Sequence, residues 1–207
     1  MNAREGALAR LRAYLDVPGD AVRLLVRGPE MPLLCDFAAA APWLSLEAQS
    51  PVSHSSSSHN SASHSSSSHS AGLELRGPRP HGCIRFEGEL EGRLVESLAE
   101  TLRTLATGEI GWDTPATPAL LADLPGMVKL RVYVGPHCPF CPSVAAAALR
   151  MACATPRIEV DIVRADQCQD RSITSVPTVT LDDALLSQGA IGEYELAERL
   201  LARQDPG

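Results

Sequence analysis

The sequence predicts an α/β protein built from two halves, each with a mixed central β-sheet flanked by helices. Apolar runs of strand length alternate with segments whose apolar residues recur every three or four positions, the spacing of a helix face. A Cys-x-x-Cys pair, Cys138 and Cys141, lies at a predicted strand-to-helix turn, and Pro177 precedes a later strand. At 207 residues the chain can form one large or two small domains with cores of their own.

The first half begins with a predicted helix over residues 4–15, where apolar residues face one side. A short apolar run over 22–26 predicts a buried strand. Residues 33–46 are predicted to form a helix that Pro42 kinks or divides. We expect Cys35, on this helix, to be a small buried hydrophobe.

Residues 50–72 change abruptly to serine and histidine, with an imidazole every five positions at His54, His59, His64 and His69. So few apolar side chains cannot offset the entropy lost on ordering, which predicts a disordered loop insertion. Histidine-rich tracts sometimes chelate transition metals. This spacing fixes no geometry, however, and neither a carboxylate nor a thiol lies nearby to complete a site, so we expect no metal here.

The first half resumes with predicted strands over 73–76 and 83–87 and a helix from Leu94 that Gly108 ends. Cys83 is expected in the core and His81 in the connecting loop, since neither has a second thiol or carboxylate beside it. Residues 1–107 contain no Cys-x-x-Cys pair.

Residues 108–126 are predicted to link the halves, because prolines stand at 115, 118 and 125 and only a short helix over 118–124 is indicated. The second half, 127–207, then follows a clear alternation of elements. We predict strands over 128–134, 158–163, 178–181 and 184–187, and helices over 139–154, 165–171 and 193–201.

The Cys-x-x-Cys pair lies where a predicted helix begins. The exposed N–H groups and the dipole at a helix N-terminus favour negative charge, so Cys138 should ionise more easily than a free cysteine. Pro139 suits a first helical turn because that position needs no N–H donor. Cys138 and Cys141 share a helix face, which permits a disulfide. The pair alone is also compatible with half of a zinc knuckle or with two core cysteines.

The order of elements in the second half, together with Val176-Pro177 before a strand, resembles the thioredoxin fold. In that superfamily the proline at this position is cis and packs against the dithiol. The resemblance therefore implies that Pro177 lies beside Cys138 and Cys141 and leaves the Val176 backbone free to pair with an incoming chain.

Across nearly its whole length the chain resembles the N-terminal domain of the flavoprotein subunit of alkyl hydroperoxide reductase. That domain consists of two tandem thioredoxin folds, of which the first is degenerate and lacks a dithiol. The local matches lie at 8–15, 81–96, 133–144 and 175–181. The Cys-Pro-Phe-Cys-Pro motif itself is closer to glutaredoxins and to the two-fold protein disulfide oxidoreductases of thermophiles, which are the second choice.

Two departures from the first family affect the expected chemistry. The sequence has no Gly-x-Gly-x-x-Gly fingerprint, so we expect no bound cofactor and a separate flavoprotein reductase as electron donor. The strand before the dithiol carries Lys129, Arg131 and Tyr133 where these families place a buried acid. A cation such as Arg131 or a protonated His137 near the sulfurs would favour thiolate instead. His137 is the better candidate, although an exposed loop histidine without a role fits equally well.

The composition of the chain argues against several other classes of protein. The net charge of −7 and the lack of basic runs with interleaved aromatics argue against nucleic-acid binding. The sequence contains no run of eighteen apolar residues, so no membrane span is predicted. Six cysteines are too few for a disulfide-stapled scaffold, and residues 1–15 lack a signal-peptide core, so a cytoplasmic protein is expected.

The sequence thus predicts a thiol–disulfide oxidoreductase. Cys138 would attack a disulfide of a protein partner such as a peroxiredoxin, and Cys141 would resolve the mixed disulfide. Cys153 is expected in the core, while Cys168 lies in a polar segment that we expect to be exposed. Two alternatives are a disulfide oxidoreductase with many clients and a non-enzymatic module that binds metal or a partner. The oligomeric state is not predicted.

Overall fold

The computed structural model describes residues 11–28, 32–49 and 72–204. The end of the predicted first helix, residues 11–15, is helical and is called α1, while the earlier part lies outside the described residues. The predicted insertion over 50–72, with its four histidines, also lies outside them apart from Gly72. No helix within the described ranges has the length and apolar character needed to cross a membrane.

The remaining elements agree closely with the predicted alternation. The strands are β1 (Val22–Arg27), β2 (Leu44–Ala48), β3 (Gly72–Arg76), β4 (Ile84–Glu87), β5 (Val128–Val134), β6 (Ile158–Arg164), β7 (Thr178–Leu181) and β8 (Ala184–Gln188). The helices are α2 (Pro32–Ala40), α3 (Leu94–Thr107), α4 (Thr117–Ala122), α5 (Cys141–Ala154) and α6 (Glu193–Gln204).

All eight strands form one mixed sheet in the order β2-β1-β3-β4-β6-β5-β7-β8. The order β2-β1-β3-β4 in the first half has the same topology as β6-β5-β7-β8 in the second. In each half one strand pair is parallel and the next two are antiparallel. Strands β4 and β6 join the halves in parallel. The chain therefore repeats one fold twice, and the predicted fold class is confirmed.

Alternation of side chains gives the sheet one apolar and one polar face. Leu24, Leu75, Ile84, Val160 and Leu130 are cross-strand neighbours, and all are fully buried in the core. The described helices pack on this side and complete the core. The opposite face carries charged side chains, which include the ion pairs around Asp161.

The predicted helix over 33–46 is wrong in its second part. Helix α2 ends at Ala40, and residues 44–48 form β2, which pairs with β1. Pro42 disfavours helical backbone at the residue before it, so the helix ends there. Leu44 is buried while Ser45 is exposed, the beginning of a strand pattern.

Two further predictions are wrong, one for residues 165–171 and one for Cys35. Residues 165–171 form turns rather than a helix, because Asp170 accepts hydrogen bonds from the backbone N–H and hydroxyl of Ser172 and so holds a local turn. Cys35 is exposed on α2, whereas Leu34 and Phe37 are the buried residues of that helix.

The predicted linker over 108–126 is tied to the second half by a buried carboxylate. Glu193, whose side chain is 0 % exposed, lies 3.0 Å from Arg150 Nε on helix α5. It also accepts a hydrogen bond of 3.0 Å from the Thr117 hydroxyl at the start of α4. Arg150 in turn forms two contacts of 2.9 Å with Asp113. The linker is thus anchored beside the helix that begins at Cys141, while the boundary itself stays a prediction.

Candidate active site

The two cysteines of the Cys-x-x-Cys pair are joined by a disulfide where β5 leads into α5, with their Cα atoms 5.5 Å apart. Cys141 is the first residue of α5 and is 0 % exposed. Cys138 lies in the preceding turn and is partly exposed. A partner can therefore reach Cys138 but not Cys141, while their roles as attacking and resolving thiol stay a prediction.

The backbone at the start of α5 is oriented toward the accessible sulfur. The N–H of Cys141 donates to Sγ of Cys138 over 3.1 Å. An N–H at a helix N-terminus stabilises a thiolate more than a thiol, because the dipole adds to the hydrogen bond. Pro139 was predicted in the first helical turn, but it lies before the helix and is exposed, and Pro142 occupies the first turn instead.

The Val176–Pro177 bond is cis, as the resemblance implied. Pro177 is buried and Val176 is half-buried against the core. A Cβ atom added at Gly135 would lie 3.0 Å from Cγ2 of Val176. Val176 therefore packs directly over the loop that enters the dithiol turn, which places it at the site.

His137 is exposed in this turn. Hydrogen bonds from Arg164 lower the pKa of the Asp166 carboxyl, and His137 adds a smaller contribution in the same direction. A role for His137 in ionising Cys138 stays a prediction.

Arg131, the other cation that was expected to favour the thiolate, does not lie beside the sulfurs. Its side chain lies on the polar face, 3.5 Å from Asp161 and 3.2 Å from Asp183. Asp161 is 1 % exposed and also pairs with Arg85 and Lys129. Asp161 is the buried acid of this region, but the sheet separates it from α5 and hence from Cys141. It cannot replace the acid missing from β5.

One large exposed apolar side chain adjoins the two cysteines in the sequence. Phe140, between the two cysteines, is 57 % exposed. Large exposed apolar side chains are few among the described residues, the others being Met127 and Leu185. An exposed ring beside a reactive sulfur is suited to contact with a protein partner.

The remaining cysteines are free thiols. Burial raises the pKa of Cys153 to about 12, and burial also raises the pKa of Cys83. Cys153 packs half-buried against the core, as predicted, and its raised pKa lowers the reactivity of the thiol. Cys168, which was predicted to be exposed, is half-buried, and its thiol lies 3.4 Å from the carbonyl of Ala165.

The sequence did not indicate that the first half contacts the turn after β6. Residues 88–91, which follow β4, contact Arg164 and Gln167, which lie at the end of β6 and in the turn after it. These partners are 73 to 78 positions apart in the chain. Only the parallel pairing of β4 with β6 brings them together, and no local pattern reveals that pairing.

Comparison with known proteins supports the assignment of the second half. Residues 128–202 match the family model described as a thioredoxin domain. No curated protein matches the sequence.

Solved structures match over nearly the whole chain. The NTD_N/C domain of the alkyl hydroperoxide reductase AhpF from Enterococcus faecalis has a TM-score of 0.74 and 19 % identity, covering 95 % of this chain and 98 % of its own. A second structure of that subunit, a C503A mutant, has a TM-score of 0.74 and 20 % identity, with the same coverage. A protein disulfide oxidoreductase from Aeropyrum pernix has a TM-score of 0.76 and 20 % identity, covering 99 % of this chain and 94 % of its own.

Both families that the sequence resembled are thus represented among the similar structures. The thioredoxin-domain match and the bonded Cys138–Cys141 pair identify a thiol–disulfide oxidoreductase domain in the second half. The class of enzyme predicted from the sequence is confirmed.

Proposed function

We propose that this oxidoreductase passes electrons through Cys138 and Cys141 to a protein disulfide, that of a peroxiredoxin-type partner, and is reduced again by a separate flavoprotein in the cytoplasm. The observation that carries the proposal is the asymmetry of the pair, in which Cys138 is accessible and receives a hydrogen bond while Cys141 is buried at the first residue of α5. A carrier needs one thiol that meets the partner and a second that releases it.

The reaction is two successive thiol–disulfide exchanges. The Cys138 thiolate attacks one sulfur of the partner disulfide, and the other partner sulfur leaves as a thiolate that takes up a proton. Cys141 then loses its proton and attacks the Cys138 sulfur. The Cys138–Cys141 bond forms as the partner's second sulfur leaves and is protonated. The partner gains two electrons and two protons.

The residues around the dithiol suit a protein rather than a small substrate. Phe140 offers apolar contact area beside Cys138. Val176 lies over the entering loop, with its peptide group next to Pro177. Pro177 has no N–H, so an extended segment of the partner would pair with the Val176 backbone.

The peroxiredoxin-type partner is inferred from similarity to alkyl hydroperoxide reductase AhpF. No dinucleotide fingerprint occurs in these 207 residues, and the electron donor that we propose lies outside them. A thioredoxin-reductase-type flavoprotein that oxidises NADPH is the donor we propose.

The test is a coupled assay with NADPH, such a flavoprotein, this protein, a peroxiredoxin and hydrogen peroxide. We expect NADPH consumption that requires every component and that stops in Cys138→Ser. The matched control is Cys168→Ser, a free thiol in a turn of the same half, which should retain full activity.

Two results would contradict the proposal. No NADPH consumption with several donors and peroxiredoxins would exclude the carrier role. Equal turnover of insulin and of the peroxiredoxin would instead indicate a disulfide oxidoreductase with many clients.

A further inference from the structure

The turn between β4 and α3 lies at the same edge of the sheet as the dithiol. Strands β4, β6 and β5 are parallel neighbours, so their C-terminal ends meet there. Two strand spacings place this turn about 10 Å from the turn that follows β5. We call residues 87–93 the rim turn.

Buried contacts hold the rim turn in place. Arg164, whose side chain is 5 % exposed, donates to the Glu89 carbonyl over 2.8 Å and lies 3.5 Å from the Glu91 carboxylate. Two further contacts of 2.9 Å orient Arg164 on Asp166. The Glu89 N–H donates to Gln167 over 2.9 Å.

The same stretch of chain is bonded to the strand that leads into the dithiol. The Ala165 N–H, directly after Arg164, donates to the Val134 carbonyl over 3.0 Å. Gly88 has a φ of 94°, and a Cβ there would lie 2.6 Å from Gln167 and 2.7 Å from Arg164. The rim turn and the dithiol turn are thus held on one framework with little freedom to separate.

An interface of ordinary size centred on Cys138 covers both turns. A specific interface buries about 800 Å² per partner, equivalent to a disc of about 16 Å radius. Such a disc centred on Cys138 includes a turn about 10 Å away.

The charged side chains of the rim turn are mostly negative. It carries three exposed carboxylates, Glu87, Glu89 and Glu91, against one guanidinium, Arg93. The neighbouring Arg164 pairs with Asp166 and with Glu91, so the four carboxylates and two guanidiniums of this region together carry a net charge of −2. Opposite charges across an interface accelerate association and select the partner.

We propose that the first half selects the partner, and that its rim turn binds a protein whose reactive disulfide is flanked by Lys or Arg side chains. This inference rests on the proposed exchange at Cys138. Under this proposal the first half, which has no dithiol, functions in recognition of the partner.

The test uses three disulfides with the reduced, full-length protein. Two are cyclic peptides that differ only in having Lys or Glu beside their cysteines, and the third is the small neutral bis(2-hydroxyethyl) disulfide. The rate constant of each exchange is measured at low and high salt. We expect the Lys peptide to react about 3- to 10-fold faster than the Glu peptide at low salt, with the difference lost at 1 M salt.

The variant Glu89→Lys should abolish or reverse this preference and leave the neutral disulfide unaffected. Its matched control is Asp123→Lys, which makes the same charge change at an exposed position near the opposite ends of the strands. That control should retain the preference.

The outcomes separate the two proposals. Equal rates for both peptides, or a preference that Glu89→Lys leaves unchanged, would overturn the inference while exchange with the neutral disulfide upholds the chemistry of Cys138. Failure to reduce any of the three disulfides would overturn the proposed function and this inference with it.

Discussion

The backbone N–H of Cys141 donates to Sγ of Cys138 over 3.1 Å, and both atoms lie at the N-terminus of α5. This relationship distinguishes the two sulfurs. The Cys138 sulfur accepts the hydrogen bond and is partly exposed to solvent, whereas Cys141 is buried.

The first prediction concerns ionisation. In the reduced protein the pKa of Cys138 should lie below the free-cysteine value of about 8.5, because the hydrogen bond and the helix dipole favour thiolate. Alkylation rates across pH, mapped to each cysteine by mass spectrometry, measure this. Cys153 is the internal control and should stay unmodified, since burial raises its pKa to about 12. Half-maximal alkylation of Cys138 at pH 8.5 or above would contradict the account.

The second prediction concerns the contact between Gly135 and Val176. A Cβ in Gly135→Ala would lie 3.0 Å from Val176 Cγ2, so one of the two must move. We expect a loss of about 1 kcal/mol in the free energy of unfolding, as for other overpacked sites. The double variant with Val176→Ala should recover most of it. Additive losses in urea unfolding would show that the two residues do not interact.

The third prediction concerns the anchor of the linker. Glu193→Ala leaves Arg150 without its buried partner, and we expect a loss of about 3 to 5 kcal/mol in unfolding free energy. The control is Glu100→Gln, since Glu100 is more exposed and lies 3.9 Å from Arg150, where a loss below about 1 kcal/mol is expected. Similar losses for both variants would mean that Glu193 has no special structural role.

The fourth prediction concerns pH. Hydrogen bonds from Arg164 lower the pKa of Asp166 in the folded protein. The ionised pair therefore stabilises the fold above the unfolded value of about 3.9, and this contribution is lost as pH falls through the lower folded value. Asp166→Asn should remove that part of the pH dependence. Unfolding free energies measured from pH 6 to pH 3 test this, and parallel curves for variant and native protein would contradict it.

Local patterns in the sequence predicted most of the helices and strands. They also predicted that Cys138 and Cys141 lie where a strand leads into a helix. Strand β5 was predicted at its observed ends because apolar residues alternate along it with Lys129, Arg131 and Tyr133. Gly108 was predicted to end α3, and its left-handed backbone does so. These features depend on neighbours in the chain, which a sequence displays directly.

Features that depend on distant contacts were not predicted. Strand β2 was interpreted as helix because its place in the sheet depends on pairing with β1. The contacts of Arg164 and Gln167 could not be predicted, since their partners lie in a turn 73 to 78 positions away. The burial of Asp161 likewise requires three cations from two other strands.

The most direct test of a carrier in which Cys138 attacks and Cys141 resolves is to trap the intermediate. Reduced Cys141→Ser is mixed with an oxidised peroxiredoxin, and the adduct is measured by mass under non-reducing conditions. We predict a stable one-to-one mixed disulfide that peptide mapping assigns to Cys138. An adduct that forms through Cys141 in Cys138→Ser, with none in Cys141→Ser, would contradict the account.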